Sequence, residues 1–352
     1  MKIKFLLLPI LLLLVETLAA QDKHFSLYNM APIQVNPAQT GAFEGTVRLG
    51  GLYRGQWFAM SNSNGFQTPS FYADAPILAI GKKKRDWLGV GVMILNDQAG
   101  GISDSELKLS AAYHRSLDKK SRTVLTIGLQ GGRHGRALDD ANLRFGDAIS
   151  SGTVTAGGYT LGTTSESFTT AGNCPEETEG CNNGIEFAAG AKLQTRIGQK
   201  ADLTLGVALD HIAGARFNVV EKSDTTRRPL LTTLHGQFNT PLTDKLSLHP
   251  SILAQAVEGS PLELAVQALA AYKLNPENDI SLRAGLGYRV NDAGEILVGV
   301  DYGDVRVMAS YDLTTSELSN ATTGGAFEIA AWYIIKIFKK PVVDPAVICP
   351  QL

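Results

Sequence analysis

Two cysteines lie close together in the polar stretch NCPEETEGCN, and Cys174 and Cys181 are the first residues whose type and spacing could do chemistry. In an oxidising compartment such a pair closes a local disulfide. Metal binding is the rival reading, but two sulfurs without neighbouring His ligands make a poor zinc centre. Cys349, in VICPQL, is left over. The pair Asp210-His211 could orient a base in a hydrolase, yet no nucleophile motif accompanies it. His114, His235 and His249 are scattered without metal spacing. GVGVM (Gly89 to Met93) resembles part of a nucleotide loop, but no helix follows, and Gly alternating with Val suits a strand. GLQGGRHGR could cradle an anion, and it also reads as a strand end opening into a loop. GKKKRD has no Walker spacing and reads as a basic turn. No catalytic group assembles, so the expectation is a protein that is not an enzyme, with no cofactor and no metal.

The elements that must carry these residues come from patterning. The chain opens MKIKFLLLPILLLLVETLAAQD, a charged start, an apolar run and small residues at Ala19-Ala20. This is the layout of a signal peptide over 1–20, too short for a membrane span. Acidic and basic residues nearly balance, with a formal charge of −2, so no nucleic-acid partner is suggested.

From Glu44 onward the sequence alternates with period two. In Ile280 to Val290, Ile280, Leu282, Leu286 and Tyr288 share one parity, while Ser281, Arg283 and Arg289 share the other. A strand separates such residues onto two faces. The alternation predicts strands over 44–57, 68–79, 86–96, 102–115, 122–133, 184–196, 201–213, 229–240, 245–257, 261–273, 279–290, 294–302, 304–312 and 325–338. An even count closes a transmembrane β-barrel with both strand termini in the periplasm. The connections agree. GKKKRD, LDKKS, IGQK, TPLTDK and LNPEND are short, whereas the opposite parity holds the long segment at about 134–183 and those from Gly214 to Arg228 and Thr314 to Gly324. Short periplasmic turns and long extracellular loops are the rule in outer-membrane barrels. Tyr113, Tyr272, Tyr302 and Tyr333 fall near one rim and Tyr53, Tyr288 and Tyr311 near the other, all with apolar parity, as two aromatic girdles require. FEIAAWYIIKIF then reads as the closing strand, its apolar face on lipid.

The expected fold is all-β, an antiparallel outer-membrane barrel of about 14 strands. It comprises residues 44–338, a periplasmic or plug segment at 21–43 and a periplasmic tail at 339–352. Arg48, Arg54, Glu186, Lys192, Asp210, Arg283, Arg289, Asp301, Arg306 and Glu328 all take polar parity, so they either line a channel or pair inside the lumen.

Several segments carry a family resemblance: FSLY (Phe25 to Tyr28), VNPAQTG (Val35 to Gly41), YRGQW (Tyr53 to Trp57), SFYADAPIL, WLGVGVMILNDQAGGIS and the terminal CPQL. In this order they resemble the PorP/SprF family of outer-membrane proteins in the type IX secretion and gliding systems of Bacteroidota. Where relatives often carry a second Asn-Pro pair after FSxY, this chain has Ala31-Pro32. The resemblance implies a non-enzymatic barrel that anchors or helps to export secreted cell-surface proteins. Implied partners are a secreted protein with a C-terminal sorting domain, periplasmic subunits of the machine, and outer-membrane lipid. The motif residues Phe25, Tyr28, Asn36, Pro37, Arg54 and Trp57 are the candidate partner contacts. A passive channel or hydrophobic-solute transporter, built on the same barrel with an N-terminal plug, is the alternative.

Overall fold

A strand that alternates charge with Leu must put one set in water or in ion pairs and the other in an apolar medium. In the computed structural model the charges go inward. It describes residues 23–57, 65–80, 85–99, 101–138, 153–155, 158–160, 182–215, 227–275, 279–316 and 325–337. The strands are β1 (Val47–Gln56), β2 (Phe66–Ile80), β3 (Asp86–Ala99), β4 (Ile102–Ser116), β5 (Thr123–Leu138), β6 (Thr153–Thr155), β7 (Gly158–Thr160), β8 (Asn182–Ile197) and β9 (Ala201–Asp210). They continue as β10 (Leu231–Pro241), β11 (Leu246–Val257), β12 (Glu263–Asn275), β13 (Ile280–Arg289), β14 (Ala293–Tyr302), β15 (Val305–Thr314) and β16 (Ala326–Ile335).

Each of the fourteen sequence-predicted strands is present, and together they close an antiparallel barrel in which β1 pairs with β16. β6 and β7 form a separate hairpin between β5 and β8, which are themselves neighbours in the wall. Boundaries shift where the ladder decides them. β9 stops at Asp210 because His211 turns to a φ of 61°. β16 stops at Ile335, where its partner strand runs out at Val47. β5 runs on to Leu138, because β4 offers partners as far as Ile102.

The burial pattern is that of a membrane barrel. Leu286 is 67% exposed on the outer wall, whereas Arg289, three residues on and of opposite parity, is 2% exposed in the lumen. In β16, Phe327, Ile329 and Tyr333 face out while Glu328, Ala330 and Trp332 are buried inside. All seven girdle tyrosines lie on the outward parity. The strand ends flanking connections 81–85, 117–122, 198–200, 242–245, 276–279 and 303–304 lie at one rim, here the short-turn end. The strand ends flanking connections 139–181, 211–230 and 315–325 lie at the opposite rim, the long-loop end.

Residues 23–43 lie inside this wall. Three short helical pieces, the 3₁₀ turns Tyr28–Met30 and Pro37–Gln39 with α1 (Pro32–Val35) between them, let a chain with two prolines coil within the lumen. Phe25, Leu27, Met30 and Ala31 pack against Leu52, Leu95, Leu269, Leu297, Met308 and Trp332 of the wall. Ile33 does the same against Tyr72 and Met93. Each such side chain contributes about 1.5–3 kcal/mol by leaving water. The segment starts beside Glu106 near the long-loop end and descends to Asp74 and Trp87 at the short-turn end before β1 begins.

Candidate functional site: the plugged lumen

At the long-loop end the FSLY residues meet inward charges from strands at the far end of the sequence. Glu328 accepts from the amides of Ser26 (2.8 Å) and Leu27 (2.7 Å), and from Arg54. Asp312 accepts from the Ser26 hydroxyl at 2.7 Å, Arg54 Nη1 at 3.0 Å and Arg289 Nη2 at 2.6 Å. Gln267 donates to the Ser26 carbonyl at 2.6 Å. A buried carboxylate is tolerable only when paired and fully hydrogen-bonded, and here the plug backbone itself completes the set. The two motif blocks FSLY and YRGQW therefore meet in space through Ser26 and Arg54.

A second ionic group stands beside it. Lys23 donates to Glu106 at 2.8 Å, and Arg228 donates to the same carboxylate at 2.6 Å. Arg228 also approaches Glu186 at 3.2 Å, and Lys108 donates to Asp210 at 2.8 Å. His211 Nδ1 donates to Glu186 at 2.7 Å. Glu186, Asp210 and His211 bring donor atoms within 4.8 Å of one another, a spacing that would suit a metal ion. Lys108 and Arg228 already supply the positive charge to these carboxylates, so the donor set reads as an ion-pair cluster rather than a metal centre.

The middle of the plug is held by the NPA turn. Asn36 caps the following 3₁₀ turn by accepting from the Ala38 amide at 2.8 Å. Its Nδ2 donates to the carbonyls of Ala191 (3.1 Å) and Val207 (3.2 Å), with His235 Nε2 at 3.1 Å. This depth is reached because the wall opposite is glycine. A Cβ on Gly190 would stand 2.9 Å from Asn36 Cγ, and one on Gly128 would run into the backbone of Pro37 and Ala38. Lower down, His114 Nε2 donates to the Thr40 carbonyl at 2.8 Å and its ring stacks on Trp87, centroids 4.4 Å apart. Trp87 Nε1 donates to the Gly41 carbonyl at 3.0 Å, and the Gly41 amide donates to Asp74 at 2.7 Å. Asp74 takes both Nε and Nη2 of Arg48, at 2.9 and 2.8 Å.

Phe25, Tyr28, Asn36, Pro37 and Arg54 are thus all buried, engaged with the protein's own wall; Tyr28 reaches Ser251 at 2.7 Å. Trp57 sits at the long-loop end with a φ of 60°, its ring 4.8 Å from Phe66. Cys174, Cys181 and Cys349 lie outside the described residues, as do residues 1–22 and 338–352. The ten charged residues of polar parity point inward, and most pair there. Sequence reasoning missed Asp74, Glu106, Lys108, Arg228 and Asp312. The signal for two of them was present in β4, where Asp104, Glu106, Lys108, Ser110 and His114 share one parity, interrupted only by Ala112.

Residues 17–333 match the family described as type IX secretion system membrane protein PorP/SprF. No curated protein matches the sequence. Among solved structures, the CymD monoaromatic hydrocarbon channel is similar over 88% of this chain and 94% of its own, at 11% identity and a TM-score of 0.50. The toluene transporter TbuX of Ralstonia pickettii is similar over 87% and 94%, at 12% identity and a TM-score of 0.49. At such identity the likeness is one of fold alone.

Proposed function

The chain belongs to the PorP/SprF family of type IX secretion system membrane proteins, and from that premise we propose that it holds protein partners at the outer membrane rather than passing solutes. In this reading the barrel is a non-enzymatic anchor. Its long loops meet a secreted protein bearing a C-terminal sorting domain, and its short-turn end meets periplasmic subunits of the same machine. The observation that carries the reading is the filled lumen. Residues 23–43 are fastened at the long-loop end by Glu328 and Asp312, in the middle by Asn36 and at the short-turn end by Asp74. A solute would have to break buried charge-assisted bonds to pass, and each such bond contributes about 1.5–3 kcal/mol. Loops on a rigid scaffold are the ordinary carriers of recognition, and the longest one here, 139–181, leaves neighbouring wall strands.

The test has two arms. Tagged protein is purified with its bound partners, with residues 139–181 intact or replaced by a short linker. The same protein is placed in a planar bilayer. The anchor reading expects a secreted or periplasmic protein to copurify, a secreted partner to depend on 139–181, and conductance to be negligible. Free conduction of ions or small solutes, with no partner recovered, would replace it with the channel reading.

A further inference from the structure

Most of the inward charges are paired, but Lys192 on β8 is not. It is 3% exposed, and among the described residues its side chain has no hydrogen bond and no ion pair. Arg48 and Asp74 are the charged groups whose fields reach it. They already cancel each other, with Arg48 Nε 2.9 Å from Asp74 Oδ1 and Nη2 2.8 Å from Oδ2. His114 and His235 also stand near Lys192 and bring no negative charge. His114 is held by Thr126 and the Thr40 carbonyl, and His235 Nε2 meets Asn36. Lys192 lines a cavity of about 20 Å³ between the plug and strands β8, β9 and β10. No carboxylate lines this cavity. Two further polar groups of the lining are without a hydrogen bond among the described residues, the buried Thr204 hydroxyl and the side-chain amide of Gln39. Tyr28 and Gln237, in the same lining, are turned to Ser251 and Asn239.

We infer that this cavity is a binding site for one monatomic anion, a halide such as chloride, held by the Lys192 ammonium. A buried ammonium keeps its charge only beside a counter-charge, and neither a neighbouring carboxylate nor a water molecule supplies one here. Size selects the class of anion. The cavity has room for about one water-sized occupant. That admits a halide and excludes phosphate, sulfate and the carboxylate of a peptide. The chemistry of the lining agrees, because an ammonium, a hydroxyl and an amide all offer N–H or O–H donors to an anion. Lys192 and Thr204 belong to the wall and Gln39 to the plug, so the site is whole only when the plug is seated. An ion that binds the seated arrangement alone stabilises it by mass action. It then acts as one more fastening between residues 23–43 and the wall, whatever partners the rims hold.

The experiment follows urea unfolding of the detergent-solubilised full chain in sodium chloride and in sodium gluconate, whose anion is too large for the cavity. Ionic strength is held equal, so that screening of the surface charges is the same in both salts. The same pair of measurements is made on Lys192→Met, which keeps the length of the side chain and removes its charge. Crystals of the unaltered chain grown in sodium bromide supply a direct view by anomalous scattering. The unfolding midpoint of the unaltered chain should be higher in chloride and should rise with chloride concentration. Lys192→Met should unfold at the same midpoint in both salts. A bromide peak should stand within hydrogen-bond distance of Lys192 Nζ. Equal midpoints for the unaltered chain overturn the site, and so does a chloride response that survives Lys192→Met. A bromide map without a peak in the cavity overturns it as well, since Lys192 is then an uncharged amine beside water. That map decides the matter even where Lys192→Met does not fold.

Discussion

Glu328 is a single carboxylate that serves two structures at once, the wall strand that carries it and the plug whose amides it receives. Glu328→Ala removes one of the two carboxylates that Arg54 meets and leaves two buried plug amides without that acceptor. Loss of one partner from a buried pair costs about 3–5 kcal/mol, so the midpoint of urea unfolding should fall sharply. Protease cleavage near Phe25 should also appear before the barrel itself unfolds. Gly190→Ala attacks the plug from the opposite wall. The new methyl needs the space of Asn36, so the Asn36 bonds to Ala191 and Val207 should be lost. Two part-buried carbonyls then lose a donor, at about 0.5–1.5 kcal/mol each. Asn36→Ala should reproduce most of that loss, and the double variant should cost less than the sum of the two, as unfolding titrations of all three chains would read. Inward parity made Glu328 and Arg54 readable in the sequence. Their partner was not, because Ser26 lies 302 residues from Glu328 and no local pattern joins them.

For the strands, alternation revealed both their number and their facing, since lipid and lumen impose opposite demands at every second residue. It did not reveal how full the lumen is. By parity alone, Gln267 or Gly285 would accept an arginine more readily than Leu286 or Val266, unless the lumen is tightly packed. The lumen is packed at both places: Gln267 is bonded to Ser26 and Glu295, and a Cβ on Gly285 would stand 2.6 Å from the Ala268 carbonyl oxygen. Leu286→Arg should cost about 2–4 kcal/mol by placing a charge in lipid. Gln267→Arg should be comparably harmful for a different reason, the displacement of Ser26. Deleting residues 23–43 separates the two causes. The Leu286→Arg penalty should persist in the deleted chain, while most of the Gln267→Arg penalty should vanish; equal persistence would mean that the plug is not what Gln267 supports. The same limit explains the motif residues. FSLY and VNPAQTG were visible as unusual blocks with no strand period, but only the closed barrel shows that their neighbours are Glu328, Asp312, Gly190 and Asp74.

At the scale of the molecule, two different surfaces are pressed against one wall: apolar side chains outward and a polar, self-occupied interior. This arrangement makes the barrel a rigid ring, and in the anchor reading recognition falls to its two rims. Cys174 and Cys181 fall within the longest connection of the sequence, 139–181. Peptide mapping without reductant should find the two linked. The ring is short, so reduction should alter partner binding more than the unfolding midpoint. Two free thiols in freshly isolated protein would remove the bridge from consideration.

One consequence concerns the order of assembly. Ser26 and Leu27 of the plug find their carboxylate on β16, the strand that also seals the ring against β1. These two plug amides must therefore wait for the last strand before they are satisfied. Contacts of such sequence separation form late, after most loop-closure entropy has been spent. Sealing the wall and latching its contents are then one step rather than two. A chain cut short before Glu328 would present an open seam and unsatisfied plug amides at Ser26 and Leu27 together, which gives whatever inspects newly inserted barrels two signs of the same fault.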